Sequence, residues 1–132
     1  METQEEKTTL PAIKPDIAFE DFMKMDIRIC QILSVEKVEK YDKLYKLEID
    51  TGIDKRIVVS AIAHIFDKEE LMGMCLPFIL NLPVRKIAKI DSHGMIILAE
   101  DTLAKKTLMM ASVTKEDSYP GKTILGVGSI VV

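Results

Sequence analysis

Between Asp26 and Ala99 the apolar residues fall into five runs of strand length, and one helix-opening signal interrupts them after the third. That order constrains the fold more than any other feature of the chain. Residues 26–35, DIRICQILSV, place apolar side chains at Ile27 and Ile29 and then change parity at Cys30 and Ile32. One extra residue exchanges the two faces of a strand, so a bulge is expected here. Residues 44–50, LYKLEID, alternate cleanly, with Tyr45, Leu47 and Ile49 inward and Lys46 and Glu48 outward. Thr51-Gly52-Ile53-Asp54 is a turn candidate, and residues 56–62, RIVVSAI, are apolar enough on both parities to form a buried third strand. The period then changes. Asp67 and Glu70 have the spacing of a capping box, and Gly73 is placed to close a short helix over about 67–72. Residues 75–82, CLPFILNL, read as strand four. Pro77 cannot donate to a ladder, so it is expected at an edge or a bulge. Residues 95–99 read as strand five, while 108–113 and the final GVGSIVV are further candidate strands around the turn YPGK.

The flanks are less regular. Residues 1–16 read as a flexible leader interrupted by Pro11 and Pro15. Residues 17–26, IAFEDFMKMD, suit a short helix in which Phe19, Phe22 and Met23 share a face. A chain of 132 residues suits one domain with a modest core, here 17–132. Three strands, a helix and two strands match an all-β protein of small helical content: a five-stranded Greek-key barrel of the OB type, with extra C-terminal β-structure. An SH3-like barrel or another small β-barrel would give the same order.

Several function classes are disfavoured. No apolar run approaches the ~20 residues of a membrane span. The N-terminus lacks the apolar segment of a secretory signal, which makes the cytoplasm the expected compartment. Cys30 and Cys75 have no C-x-x-C partner, and His64 and His93 have no ligand spacing, so neither a disulfide nor a metal site is expected. No phosphate loop, G-x-S-x-G or H-E-x-x-H motif occurs, and no nucleophile, base and orienting group assemble. Neither an enzyme nor a cofactor is therefore expected.

The segment 81–95, NLPVRKIAKIDSHGM, stands apart. The net charge is −3, yet Arg85, Lys86 and Lys89 follow one another with no acid until Asp91. They lie between strands four and five and so share one end of the barrel. Arg85 offers a planar fork for phosphate, and Asn81 hydrogen-bonds in both directions. Ser92 and Gly94 suit a tight turn where an RNA backbone can approach. A basic surface hairpin without a ligand would have the same composition. Lys43 and Lys46 near the start of strand two and Arg56 at the start of strand three form a second cationic group. In an OB-type barrel these strands and the loop between four and five line the nucleic-acid face. The two groups are expected to converge, diluted by Glu36, Glu39, Asp42 and Glu48.

From about Phe19 to Glu100 the chain resembles the tRNA-binding domain appended to methionyl-tRNA synthetases, found also in free-standing tRNA-binding proteins and in the endothelial monocyte-activating polypeptide group. The resemblance rests on six ordered blocks: FEDFMKMDIRI (19–29), DKLYKLEIDTG (42–52), RIVVSAIA (56–63), EELMG (69–73), NLPVRK (81–86) and SHGMIILAED (92–101). It implies an OB fold that binds tRNA by shape. By position it implies contacts from Asn81, Arg85, Lys86, Ser92 and Met95, with Lys43 and Arg56 second; Met95 could equally plug the barrel end. Lys89 adds a positive charge to the expected RNA-facing turn. Two positions depart from the family: Ala61 and Lys89 stand where it usually has glycine, and a Cβ there could alter the turn. The chain is short for a synthetase core, which implies a free-standing protein or a beta subunit assisting methionyl-tRNA synthetase in trans. Relatives of that kind are typically homodimers, and the leader and ILGVGSIVV are available for pairing. Some relatives resemble secretion chaperones, so a chaperone-like peptide or protein-interaction module of the same fold is the alternative.

Overall fold

The computed structural model describes residues 10–101 and 106–109. A short helix α1 (Phe19–Met23) leads into β1 (Ile27–Val38), β2 (Tyr41–Asp50) and β3 (Lys55–Ser60). The helix α2 (Lys68–Leu71) connects to β4 (Cys75–Ile79). The strands β5 (Arg85–Ile87), β6 (Ile90–Ser92), β7 (Met95–Ile96), β8 (Leu98–Asp101) and β9 (Lys106–Met109) follow. One antiparallel sheet has the order β3-β2-β1-β4-β7, and β5–β6 and β8–β9 form separate two-stranded pairs. This is an OB-like barrel whose ladder is not closed. The β3 edge and the β6–β7 connection meet through single bonds instead: the His93 N–H donates to the Ile57 carbonyl at 2.9 Å, and the Val59 N–H donates to Ser92 Oγ at 2.9 Å.

The core follows from the alternation. Tyr45, Leu47 and Ile49 are buried, as expected, and pack with Ile32, Val58, Leu76 and Phe78. The buried Tyr45 hydroxyl donates to the Phe66 carbonyl at 2.9 Å, so the ring adds packing without leaving a polar atom unpaired. β1 does contain an irregularity, but it lies at Leu33, where the register with β2 jumps between Ile32 and Ser34. The parity change at Ile29 and Cys30 has another cause. Both residues are buried, because β1 is covered on both faces where it pairs with β4. Pro77 sits inside the sheet opposite Ile29. Its carbonyl accepts the Ile97 N–H at 3.0 Å, so its donor-less nitrogen faces the short β7 side and removes no bond from β1.

Several boundaries differ from expectation for identifiable reasons. β4 runs only to Ile79, although one more ladder bond follows it, from the Leu80 N–H to the Asp26 carbonyl at 2.8 Å; beyond that rung the Asn81 side chain bonds Asp26 and Lys24. The helix after β3 keeps its capping box, with the Asp67 N–H donating to the Glu70 carboxylate at 2.7 Å. Gly73 takes φ +79°, but its N–H bonds the Ile32 carbonyl and not a helix carbonyl. α1 is shorter than 17–26, and Phe19 and Met23 are exposed rather than packed. The expected strand over 95–99 is broken at Ile97 into β7 and β8. β9 overlaps only the start of the expected strand 108–113; the rest of that strand, the turn YPGK and GVGSIVV lie outside the described residues, as do positions 1–9 of the expected leader. No helix among the described residues is long and apolar enough to cross a membrane.

Candidate nucleic-acid interface

The basic segment folds into the β5–β6 hairpin, inserted between β4 and β7. Its register pairs Arg85 with Ser92, Lys86 with Asp91, and Ile87 with Ile90. The loop is two residues long, Ala88 and Lys89, with φ +52° and +67°. Two positive φ angles define the turn whose twist matches a tight hairpin, and such turns favour Asn and Gly. Lys89 therefore occupies the left-handed conformation with its Cβ in place, so the turn is kept and strained rather than remodelled. Ala61 behaves differently: it is exposed and not among the described non-glycine residues of positive φ, so its methyl costs no strain of this kind. Lys89→Gly is expected to raise stability by about 1 kcal/mol in denaturant unfolding, because glycine removes the left-handed penalty. An unchanged or lowered midpoint would contradict this.

Alternation splits the cations. Arg85 and Ile87 face the same side as their partners Ser92 and Ile90, and Lys86 faces the other side with Asp91. Lys86 Nζ lies 3.1 Å from the Asp91 carboxylate, an exposed ion pair. Arg85 and Lys89 are exposed and have no ion pair or hydrogen bond among the described residues. The three adjacent cations are thus two free ones and a third already engaged.

Other expected contacts are committed to the framework. Ser92 is only 3% exposed and its Oγ accepts the Val59 N–H, so it anchors the hairpin to β3 instead of meeting solvent. Asn81 accepts the Asp26 N–H at 2.8 Å and donates to the Lys24 carbonyl at 2.6 Å. It ties the start of the basic loop to the segment before β1. Arg56 donates from its η nitrogen to the Leu80 carbonyl at 2.8 Å and from Nε to Asp54 Oδ1 at 3.0 Å. Its side chain is 16% exposed, and its fork is used to hold the base of the loop. Lys43 is exposed, but lies toward the opposite end of the β2–β3 ladder from Arg56, which stands opposite Ile49. Six strand positions separate Lys43 from Ile49, about 20 Å of ladder. The expected convergence of the two cationic groups therefore reduces to Arg56, as a brace, joining the hairpin.

The brace has an electrostatic signature. The hydrogen bond from Arg56, with a second from Thr51, holds the Asp54 carboxyl below its ordinary value of 3.8. A depressed folded-state value means that the unfolded chain binds the proton more readily. This stability is therefore full above about pH 4 and is lost as pH falls through the folded-state value. Asp54→Asn is expected to flatten the fall in unfolding free energy as pH drops below about 4. A wild-type slope in the variant would contradict the brace. The buried Cys30 thiol, by contrast, is pushed up to about 12 by desolvation, and so stays protonated and inert at neutral pH.

Beside Arg85 lies a cavity of about 390 Å³, walled by Leu82, Val84, Ile87 and Met95 with Ser92 and Gly94 behind. Met95 is 48% exposed and lines this cleft; its neighbour Ile96 enters the core in its place. Of these apolar residues the sequence singled out only Met95; Leu82 read as the end of strand four, and Val84 and Ile87 drew no reading beside the cations. Leu82 and Val84 precede β5 and only Ile87 lies on it, so no strand alternation marked them. Among the described residues no group of His, Cys, Asp or Glu could hold a metal.

Residues 27–122 match the model of a putative tRNA binding domain. Methionine--tRNA ligase of Porphyromonas gingivalis is 53% identical over 89 residues, covering 67% of this chain and 13% of that protein. The chain thus corresponds to a small part of that relative's length. Among solved structures, the MetRS related protein from Pyrococcus horikoshii superposes with a TM-score of 0.77 at 29% identity, over 90% of this chain and 100% of that one. The chaperone CsaA from Bacillus anthracis superposes with a TM-score of 0.70 at 21% identity, over 89% and 100% of the two chains, a likeness of fold.

Proposed function

The chain belongs to the tRNA-binding domain family, and from that premise we propose that it binds tRNA by shape through the β5–β6 face of its OB-like barrel. The observation that carries this reading is a pair of cations with no partner among the described residues, Arg85 and Lys89, presented by a hairpin braced at Ser92, Asn81 and Arg56. A free guanidinium on a braced support offers bidentate phosphate contact at little ordering cost. Lys86 and Met95 complete the proposed contact surface, with Lys43 as an outlying phosphate contact. Ser92, Asn81 and Arg56 act by position. No reacting group is needed: the face binds and orients.

The same reading makes the protein a cytoplasmic tRNA-binding factor, free-standing or a beta subunit, that raises tRNA concentration for methionyl-tRNA synthetase. Homodimerisation is supported by the exposed apolar residues Leu10, Ile13, Ile17 and Phe19 before the barrel. Two copies facing one RNA would add avidity without new contacts. The apolar cleft favours a second reading, a chaperone-like module that holds apolar peptide segments.

A filter-binding titration of unfractionated tRNA at low salt separates the two. Saturable binding that a large excess of apolar peptide does not displace supports the first reading. Peptide binding that persists in high salt with no tRNA binding supports the second. Asp91 provides an internal check. Asp91→Asn releases Lys86 and removes an opposing charge, so tRNA affinity is expected to rise roughly two- to fivefold. A fall in affinity would place the RNA away from this hairpin.

A further inference from the structure

Resting on the tRNA-binding reading, we infer that the cleft beneath Arg85 receives a single unstacked nucleobase of the bound RNA. Three observations converge. The cleft is lined by aliphatic side chains, and its volume of about 390 Å³ is ample for one planar ring system. Leu82, Val84 and Met95 are 40%, 54% and 48% exposed, leaving an apolar wall open at the surface that no described residue covers. The charge at its rim then selects the occupant. Arg85 lies on the cleft side of the hairpin and Lys89 at its tip, both without partners among the described residues, whereas the carboxylate of Asp91 faces the other side against Lys86. An apolar ring joined to a phosphate satisfies both the walls and the rim, and a neutral or basic peptide side chain satisfies the walls alone. Ser92 adds polarity at the cleft floor. Its oxygen is engaged by the Val59 N–H, so it fixes the floor in place beneath the apolar walls.

The cleft turns a shape-reading face into one that also requires a base free of its stack, as loops of folded RNA supply and continuous duplex does not. Aliphatic walls contact any base through its apolar faces and offer no pairing edge of their own, in keeping with recognition of many tRNAs by one surface.

The test uses the full chain with labelled methyl groups, titrated separately with AMP, ribose 5-phosphate and N-acetyl-leucinamide. AMP is expected to shift the methyl signals of Leu82, Val84, Ile87 and Met95, and ribose 5-phosphate, which lacks the base, is expected to leave them in place. Equal shifts from both phosphates, or none from AMP, would overturn the inference. Shifts from N-acetyl-leucinamide without shifts from AMP would overturn it in favour of a peptide site. In parallel, Leu82→Ala/Val84→Ala is expected to weaken tRNA binding roughly three- to tenfold with the salt dependence unchanged. Wild-type tRNA affinity in that variant would remove the base from the cleft while leaving the tRNA-binding reading intact. Failure of the wild-type chain to bind tRNA at low salt would defeat that reading itself, and the base site with it.

Discussion

Gly94→Ala is expected to cost about 3 kcal/mol of stability, a large loss for one methyl group. Gly94 joins β6 to β7 at φ +131°, a conformation that side chains rarely adopt, and an added Cβ would stand 3.1 Å from the Ile79 carbonyl oxygen and 3.5 Å from Val58 Cγ2. Neither neighbour can move freely, since one is backbone in β4 and the other is a core side chain. Gly73→Ala is the control. It shares the positive φ, +79°, but its added methyl would meet nothing within 4 Å. That change is expected to cost about 1 kcal/mol, the conformational penalty alone. Denaturant unfolding followed by circular dichroism measures both, and equal losses would refute the close-approach argument. The same geometry bears on function, because Gly94 lets the chain pass against β4 directly after Ser92 has fixed the hairpin to β3.

Replacing the free cations is expected to have the largest effect on binding. Arg85→Ala should weaken tRNA binding on the order of tenfold at low salt, and Lys89→Ala by a similar factor. Lys86→Ala should cost less, about two- to threefold, because Lys86 already spends part of its charge on Asp91 at 3.1 Å. The order of the three effects discriminates more sharply than their size. A purely additive basic patch would make Lys86 equal to its neighbours. All three are exposed and away from the core, so unfolding midpoints should hardly change for Arg85→Ala and Lys86→Ala.

The barrel was legible in the sequence because its information is periodic. Tyr45, Leu47 and Ile49 alternate with charges, and a capping box marks the helix between β3 and β4. The family was legible because NLPVRK and SHGM stand in order at the right separation. What remained hidden depends on register. Whether Arg85 and Lys86 act together is decided by strand alternation in a hairpin only three residues long on each side, which leaves no periodic pattern to read. Ser92, Asn81 and Arg56 looked like contacts because their side chains bond well. The structure spends those bonds on Val59, on Lys24 and Asp26, and on Leu80 and Asp54. A polar side chain in a basic loop carries no mark of whether its partner is RNA or its own backbone. The bulge at Leu33 was hidden for a related reason. Burial on both faces of β1 imitates a change of phase at Ile29 and Cys30.

The central claim is that the β5–β6 hairpin neutralises tRNA phosphates through Arg85 and Lys89, its two cations with no partner among the described residues. The most direct measurement is the slope of the logarithm of tRNA affinity against the logarithm of salt concentration, for the wild-type chain and for Arg85→Ala/Lys89→Ala. Loss of about two phosphate contacts is expected to make the slope shallower by about 1.5 to 2 units. A steep wild-type slope that survives unchanged in the double variant would place the RNA on another face of the barrel.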